Sequence, residues 1–327
     1  MKLVKLQLLV LSVLLQLPIM AVAGWLHEED AIMGTAVNVE LWDDDELQGR
    51  VLIQSVMDEM RRIDELMSTY KPDSELSRVN AGASDSPVTV STELFKLIGL
   101  ALNYSVITHG AFDITYASAG QYYDYRTGKK PDSKQLAEAL PAISYQHVRL
   151  DAAHSSVHFL QKGVRIDLGG IAKGYAVDRC IALLQAAGVN NALVSAGGDT
   201  RVIGRHWDHP WVIGIRNPRV HDAIVTKIPL EDAAISTSGD YERYFEKDGI
   251  RYHHILNPVT GKSPHEIHSS SIIGGNATDT DALSTSVFVM GVEKGLALIN
   301  SLPDTEAIII DNQGRMHYSN GLARVVQ

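Results

Sequence analysis

The sequence predicts an α+β fold in one domain of mixed sheets and helices, and three observations carry this prediction. Short apolar runs typical of strands recur along the chain, segments with helical periodicity lie between some of them, and several strands follow one another as hairpins. The composition, 45% hydrophobic and 21% charged, is that of a globular protein and excludes disorder, collagen and coiled coil. No linker or charge run divides residues 24–327, so we expect one domain with two lobes.

The first 23 residues predict a signal peptide that precedes the folded domain. Two lysines come before an apolar run that starts at Leu6, and Ala21-Val22-Ala23 puts small residues ahead of a cut at Gly24. An uncleaved membrane anchor is the alternative, because the run approaches the length of a bilayer span. Pro18 interrupts the run and favours cleavage. We therefore expect an exported, periplasmic protein whose domain is residues 24–327.

The net charge and the cysteine content exclude several kinds of partner and site. The formal charge of −10 becomes −12 when Lys2 and Lys5 are left out, and no basic run is longer than two residues, so nucleic acid is not an expected partner. Cys180 is the one cysteine, which excludes an intramolecular disulfide framework and a cysteine zinc site. Any metal must be held by oxygen or imidazole.

The first strand and the first helix are predicted from periodicity. Residues 35–42 (TAVNVELW) alternate apolar and polar side chains, as a half-buried strand does. A helix follows Asp43-Asp44-Asp45, because apolar residues between Ile53 and Met67 recur at spacings of three and four, and Lys71-Pro72-Asp73 is expected to end it.

Later elements are predicted from caps and turns. A second helix is expected to start behind the N-cap Ser91 and to stop at Gly110, and a third is expected from about Gly170 to Ala187, ended by Gly188. Residues 156–160 and 164–168 flank Gln161-Lys162-Gly163 and predict a hairpin. WVIGIRNP, SSSIIGG and EAIIID are interpreted as further strands.

The densest motif is Arg165–Asp178 (RIDLGGIAKGYAVD). A strand that ends at Asp167, a Gly169-Gly170 turn and a helix start with Lys173 suit a phosphate, because free N–H groups and an ammonium favour an anion. The motif is neither a P-loop nor a dinucleotide fingerprint. The alternative is that Gly169-Gly170 only forms the turn between the strand and the helix and binds no ligand.

A second motif, DTDALST, leads into an apolar helix. Asp281 and Thr285 are four residues apart and would share one helix face, where carboxylate and hydroxyl are hard oxygen ligands of the kind Mg²⁺ accepts. The alternative makes Asp281 a helix N-cap and Thr285 a back-bonded core residue.

A third motif, YHHILNPVTG, places two histidines on a strand before an Asn-Pro turn. Neighbouring side chains on a strand face opposite ways, so one of His253 and His254 can enter a site and accept a proton near neutral pH, unless it is structural. His265 and His268 are interpreted as a surface loop, because their spacing does not match a zinc protease. Tyr70 and Phe112 are candidates for packing around a flat ring, or for the core.

Read in order, MGT, STYKPDSELSRVN, GAFD, DLGGIAKGYAVD, SAGGD, STSGDYERYF, YHHILNPVTG and ATDTDALST resemble the ApbE family of FAD:protein FMN transferases. The resemblance runs from about Met33 to the C-terminus. It implies an α+β fold with FAD in a cleft between two lobes. It also implies that FAD is a substrate, split to release AMP while FMN is joined to a threonine of an acceptor flavoprotein.

The resemblance also assigns site residues. Flavin-nucleotide positions fall at Met33, Tyr70, Ala111, Phe112, Asp113, Asp167, Lys173 and Ile255. Mg²⁺ positions fall at Asp281, Thr285 and the backbone carbonyl of Gly170, the proposed base falls at His254, and Lys173 is expected to assist catalysis. Membrane contact is expected only through the acceptor.

Two other functions share these residues. A metal-dependent FAD pyrophosphatase would use the same site with water as acceptor, and a periplasmic FAD-binding protein would use it without turnover.

Overall fold

Strands and helices are interleaved along the chain. The computed structural model describes residues 23–323, and its strands are β1 (Gly24–Ile32), β2 (Thr35–Asp43), β3 (Val88–Thr89), β4 (Val148–Asp151), β5 (Ser156–Phe159), β6 (Ala192–Ala196), β7 (Asp199–Ile203), β8 (Trp211–Arg216), β9 (Ile224–Leu230), β10 (Ala234–Gly239), β11 (Tyr244–Lys247), β12 (Ile250–His253), β13 (Ile267–Gly274), β14 (Glu306–Asp311) and β15 (Met316–Tyr318). The α-helices are α1 (Glu46–Met67), α2 (Glu75–Gly82), α3 (Thr92–Ile107), α4 (Ala117–Gly120), α5 (Ser133–Ala139), α6 (Ala172–Ala186), α7 (Ala277–Met290), α8 (Val292–Ser301) and α9 (Asn320–Ala323). The predicted signal peptide lies outside the described residues except for Ala23.

An eight-stranded sheet organises the fold, and we call it the main sheet. Its strand order is β1-β2-β6-β7-β10-β13-β14-β15, and every neighbouring pair is antiparallel. A small sheet has the order β3-β5-β4, and β8-β9 and β11-β12 form two-stranded ribbons. The α+β class is therefore confirmed. Within residues 23–323, no helix combines the length and the apolar character needed to cross a bilayer.

Helix α1 forms where the periodicity predicts it. The Asp45 side chain accepts hydrogen bonds from the Leu47 and Gln48 N–H groups and so caps the N-terminus. The buried face includes Ile53, Met60 and Met67, and it packs on β1, β2 and α6. The helix ends at Met67, before the Lys71-Pro72-Asp73 segment is reached.

Helix α7 is buried on nearly all sides and joins the main sheet to the rest of the core. It packs against β10, β13 and α6. Small hydroxyl side chains make the close approach to β10: Ser236 lies 2.8 Å from Thr280 and Ser238 lies 2.9 Å from Ser284, oxygen to oxygen. Because these polar groups satisfy one another, they can be buried at little cost. The position of α7 over β10 is thereby fixed.

The other face of the main sheet is covered by the β8-β9 ribbon. Val202 and Ile308 of the main sheet form a second buried cluster with Trp211, Ile215 and Leu230 of the ribbon. Layers of side chains therefore cover both faces of the sheet.

The hairpin predicted for residues 156–160 and 164–168 is wrong. Strand β5 pairs with β4 and β3, and residues 164–168 form no strand and belong to no sheet. The side chain of Asn80 takes the place of a neighbouring strand: its Oδ1 accepts from Ile166 N–H and its Nδ2 donates to Ile166 C=O, both at 2.8 Å. An amide side chain can replace a ladder because it carries one donor and one acceptor group, as a peptide unit does.

The predicted N-cap of the second helix and the predicted glycine end of the third are observed, whereas α3 ends at Ile107, before the predicted Gly110. The Ser91 hydroxyl accepts from Leu94 N–H at the start of α3, and Gly188 has φ of +90° just beyond α6. Glycine adopts this left-handed conformation without the steric cost that a Cβ adds.

Candidate active site

One cavity of about 530 Å³ gathers the residues that the sequence singles out. Such a volume is typical of ligand sites. Its walls come from the β1-β2 turn, the start of α6, β10, α7 and the segment after β12. The predicted site residues all line it: Met33, Tyr70, Ala111, Phe112, Asp113, Asp167, Gly170, Lys173, His254, Ile255, Asp281 and Thr285.

Helices α6 and α7 meet at Gly174, and this contact sets the floor of the cavity. A Cβ at Gly174 would lie 2.1 Å from the carbonyl oxygen of Ala277, so only glycine fits. The Gly174 N–H donates to Asp281 Oδ2 at 3.0 Å. Asp281 thus lies inside α7 and does not cap it, because the Asn276 side chain is the N-cap. The N-cap alternative for Asp281 is therefore wrong.

Two buried carboxylates share one ammonium at this floor. Lys173 Nζ lies 2.7 Å from Asp199 Oδ2 and 3.3 Å from Asp281 Oδ2. Both aspartates are 2% exposed. Burial alone would lower the pKa of Lys173, but the two carboxylates outweigh it and hold that pKa above its ordinary value. Lys173 is therefore a cation at neutral pH.

The charges of Lys173, Asp199 and Asp281 are unbalanced once Asp281 is ionised. Burial and the neighbouring Asp199 charge raise the pKa of Asp281 to about 7, although Lys173 opposes the shift. With both carboxylates ionised, two negative charges face one positive charge in a buried environment. A divalent cation would relieve this excess, so the charges of the site fit a metal ion.

The oxygen groups at this position fit a hard cation. Asp281 and Thr285 are one helical turn apart on α7, and both line the cavity. A Cβ at Gly170 would lie 3.2 Å from Thr285 Oγ1, so the Gly170 backbone approaches the hydroxyl closely. No group of three or more His, Cys, Asp or Glu residues within 23–323 is arranged as a metal site. A magnesium site here would instead use one carboxylate, one hydroxyl, a backbone carbonyl and substrate oxygens.

The start of α6 presents fewer free N–H groups than the sequence predicts. The N–H groups of Ile171 and Ala172 donate to Leu168 C=O, that of Gly169 to Asp167, and that of Gly174 to Asp281. The chain turns back over Leu168 before the helix begins, so this turn takes up two of the donors and the two carboxylates take up two more. The expectation of a free N–H cradle is therefore corrected.

Asp167 is held by three hydrogen bonds at the edge of the cavity. The Tyr116 hydroxyl and the Gly169 N–H donate to Oδ1 at 2.8 and 2.7 Å, and the Thr69 hydroxyl donates to Oδ2 at 2.8 Å. A carboxylate fixed in this way presents its remaining lone pairs in defined directions. Asp167 can therefore accept hydrogen bonds from a ligand without reorganising.

The Asp113 carboxylate organises its own loop. Oδ1 accepts from the N–H and hydroxyl of Thr115, and Oδ2 accepts from Tyr145 N–H. Burial raises the pKa of Asp113 above its ordinary value, against the effect of these hydrogen bonds. Through these hydrogen bonds Asp113 fixes the loop that carries Ala111 and Phe112, and so shapes this side of the cavity.

The two histidines have opposite surroundings, as the strand pattern predicts. His253 is 1% exposed and its Nε2 bonds to Pro264 C=O at 2.8 Å, so it is structural. His254 lines the cavity, and its Nδ1 is buried with no hydrogen-bond partner in the described part of the chain. Burial, with Arg243 as the next cause, lowers the pKa of His254 to about 3. Its imidazole is therefore neutral at physiological pH.

The interpretation of His265 and His268 as a surface loop is wrong for His268. That residue lies on β13, and its Nδ1 is 3.2 Å from the buried Asp240 carboxylate. His265 is exposed, as expected.

Met33 and Tyr70 lie at the rim of the cavity. Met33 has φ of +54° in the turn between β1 and β2, a conformation that is uncommon for a bulky residue and often occurs at functional sites. Tyr70 is 85% exposed, whereas Phe112 is 3% exposed and packs edge-on against Tyr104. Tyr70 is thus free to contact a ligand, and Phe112 belongs to the core.

Some residues of the site have no assigned role from the sequence. Asp199, Ser238, Tyr116 and Thr69 all line the cavity. SAGGD and STSGD contribute to the family resemblance, but nothing in their spacing shows that Asp199 reaches Lys173. The available signal was the Gly197-Gly198 turn directly before Asp199, because a carboxylate that follows a glycine turn can be placed at a site.

The fold and the cavity define an α+β protein with a ligand-sized site next to an oxygen-rich charged centre. The ApbE family model matches residues 33–309, and the chain belongs to this family. The FAD:protein FMN transferase of Treponema pallidum is 34% identical over 290 residues, covering 83% of this chain and 80% of the relative. The enzyme of the same name from Vibrio cholerae is 33% identical over 292 residues, covering 86% of each chain.

Solved structures agree with this assignment. The ApbE protein from Thermotoga maritima has a TM-score of 0.85 at 34% identity, covering 92% of this chain and 99% of that one. The flavin transferase ApbE from Vibrio cholerae has a TM-score of 0.81 at 28% identity, with the same coverage.

Proposed function

We propose that the protein is a FAD:protein FMN transferase. It splits the diphosphate of FAD, joins FMN through a phosphoester to a threonine hydroxyl of an acceptor flavoprotein, and releases AMP. One observation carries the proposal: a single cavity brings the Asp281 and Thr285 oxygens, Lys173 and a neutral histidine together. Relatives with this name match more than four-fifths of the chain.

The floor of the cavity binds the diphosphate in this proposal. The protein is acidic overall, so a dianionic substrate needs local positive charge. Asp281, Thr285 and the Gly170 carbonyl would hold Mg²⁺, and Lys173 adds an ammonium next to them. The Mg²⁺ ion would withdraw charge from the phosphoryl oxygens and stabilise the departing AMP.

His254 is the group that takes the proton of the acceptor hydroxyl. Its low pKa keeps the imidazole neutral at physiological pH, so the lone pair is available. The threonine oxygen attacks the phosphorus of the FMN half, its proton passes to His254, and the bond to the AMP oxygen breaks. Because His254 is a weak base, it takes the proton only as the phosphorus–oxygen bond forms, when the threonine hydroxyl becomes acidic.

The walls of the cavity place the rest of FAD. Asp167 is fixed by Tyr116, Thr69 and Gly169, so it can accept hydrogen bonds from the substrate. Met33, Tyr70 and Ile255 present apolar surface suited to a flat ring. These contacts would align the diphosphate with the incoming oxygen, and alignment supplies much of the rate in phosphoryl transfer.

The proposed setting is the periplasm. The basic and apolar residues at the N-terminus support export, and an exported enzyme would meet acceptor flavoproteins on the outer side of the inner membrane. We propose that membrane contact occurs only through the acceptor and that nucleic acid is not a partner.

Acceptor labelling tests the function. The protein is incubated with FAD, Mg²⁺ and an acceptor domain, and the products are separated under denaturing conditions. Transfer leaves a fluorescent acceptor band and AMP; a pyrophosphatase leaves free FMN and AMP; a binding protein leaves FAD intact. Substitution of the acceptor threonine by valine should abolish the band.

Matched variants assign the site in the same assay. Asp281→Ala should stop AMP release while the fold survives, and chelation should have the same effect on the unaltered protein. Glu138→Ala removes an exposed carboxylate from α5, a helix that contributes no residue to the cavity, and should label at the normal rate. AMP release by Asp281→Ala at the normal rate would refute the metal assignment.

A further inference from the structure

Lys173 is shared unequally between its two carboxylates. Its Nζ lies 2.7 Å from Asp199 Oδ2, but 3.3 and 3.5 Å from the two oxygens of Asp281. It also donates to the Gly169 carbonyl at 3.3 Å. The ammonium is therefore bound chiefly by Asp199, while Asp281 retains most of its capacity to accept other partners.

The backbone fixes Asp199 in this position. Asp199 is the first residue of β7, directly after the Gly197-Gly198 turn, and it pairs with Ser236 of β10. A Cβ at Gly198 would lie 2.5 Å from Thr237 C=O, so the turn is pressed against the neighbouring strand. The Asp199 side chain is 2% exposed, and its Oδ2 has no partner except Lys173 in the described residues.

From this arrangement we propose that Asp199 is a positioning residue that holds the Lys173 ammonium away from Asp281. The proposal rests on the proposed function, in which Asp281 is a metal ligand. Lysine has a flexible four-carbon stem, and its ammonium moves to whichever carboxylate is available. With Asp199 in place, Asp281 can offer an oxygen to the metal while Lys173 stays next to it.

Loss of the Asp199 charge should redirect the ammonium. A buried cation without its main partner is strongly disfavoured, and Asp281 is the nearest remaining carboxylate. Lys173 would then form a close ion pair with Asp281 and compete with the metal for the same oxygens. Asp199 would in this way control metal affinity through Lys173, without contacting the metal.

Metal titration of four proteins tests this proposal. Calorimetry with Mg²⁺ in the absence of FAD is carried out on the unaltered protein, on Asp199→Asn, on Lys173→Met and on the double variant. Asp199→Asn should weaken Mg²⁺ binding by about tenfold or more, as is typical when a partner outside the ligand set is lost. In the Lys173→Met background the same substitution should change affinity by less than about threefold, because no ammonium is left to move.

The comparison separates this effect from simple loss of negative charge. If Asp199 acts only by its own field, Asp199→Asn weakens binding equally in both backgrounds, and the proposal is overturned. Asp311→Asn removes a buried carboxylate that does not line the cavity and that pairs with Arg315 and His317, and it should leave Mg²⁺ affinity within about threefold.

Two further measurements keep the outcome decisive. If Asp199→Asn does not fold, as shown by its melting curve, Asp199→Ser replaces it, because the smaller side chain leaves room for water next to Nζ. Asp281→Asn is titrated in parallel. If it binds Mg²⁺ as tightly as the unaltered protein, the metal assignment of the proposed function fails; if only Asp281→Asn loses binding and Asp199→Asn does not, the role of Asp199 alone fails.

Discussion

Substitution of Gly174 by alanine should separate α6 from α7 and destabilise the protein. The added Cβ would lie 2.1 Å from the Ala277 carbonyl oxygen and 2.8 Å from Asp281 Cβ. Ordinary contacts between such atoms need a separation larger by on the order of 1 Å, so one helix must move. The same movement lengthens the hydrogen bond from Gly174 N–H to Asp281 Oδ2.

The magnitude follows from three contributions. Alanine in place of a helical glycine favours the helix by about 1 kcal/mol. Overpacking costs about 1–3 kcal/mol, and loss of the hydrogen bond to a charged group costs about 1.5–3 kcal/mol. The balance is a decrease of roughly 1.5–5 kcal/mol in the free energy of unfolding, together with loss of AMP release because Asp281 is displaced.

Gly99 offers a matched control for this prediction. It lies inside α3, and the nearest atom to an added Cβ is Leu150 Cδ1 at 3.6 Å, an ordinary contact. Gly99→Ala should therefore stabilise the protein by about 0.5–1 kcal/mol. Urea unfolding and AMP release are measured for both variants. Equal stability of Gly174→Ala and Gly99→Ala would refute the close packing of α6 on α7.

Three further predictions follow from the hydrogen bonds and pKa shifts. Asn80→Ala should lower the free energy of unfolding by roughly 2–4 kcal/mol in urea, because both backbone groups of Ile166 lose their partner in a buried position; a change near zero would contradict this. Mg²⁺ affinity, measured by calorimetry without FAD, should rise with pH and level off above about 7, because the raised pKa of Asp281 keeps its carboxyl protonated at lower pH; affinity independent of pH between 5 and 9 would show an ordinary carboxyl pKa. The NMR signal of His254, assigned by its absence in His254→Asn, should stay at the neutral position down to pH 5, since its pKa is about 3; a midpoint between 6 and 7 would show a solvated imidazole.

Local patterns predicted the elements that depend on local energy. The buried apolar face of α1, the Ser91 cap and Gly188 beyond α6 all occur where the sequence predicts them. Periodicity and capping involve residues within a few positions of one another, so the local sequence is enough to predict them. The same applies to His253 and His254, whose opposite surroundings follow from strand geometry.

Long-range contacts account for the errors. The segment 164–168 has the composition of a strand, but the backbone groups of Ile166 bond to Asn80, more than 80 positions away along the chain. The N–H groups of Arg165 and Asp167 bond to Ser118 and Ile114. His268 is predicted to lie in a loop, but it belongs to β13 and contacts Asp240, which is distant in sequence. Single-sequence reasoning has no access to such partners.

The site shows the same division. Family motifs located the cavity residues, but the pairing of Lys173 with Asp199 joins α6 to β7, and the contact of Gly174 with Asp281 joins α6 to α7. Both depend on how helices pack on the main sheet. The buried charge excess that suits a metal ion is likewise a property of the packed structure and has no signature in either motif alone.

The most direct test of the central claim is a crystal structure of the protein soaked with FAD and Mn²⁺, with the ion located by its anomalous scattering. We expect one anomalous peak in direct coordination with Asp281 and Thr285 and with an oxygen of the FAD diphosphate. A peak elsewhere, or FAD bound with its diphosphate away from this ion, would contradict the account.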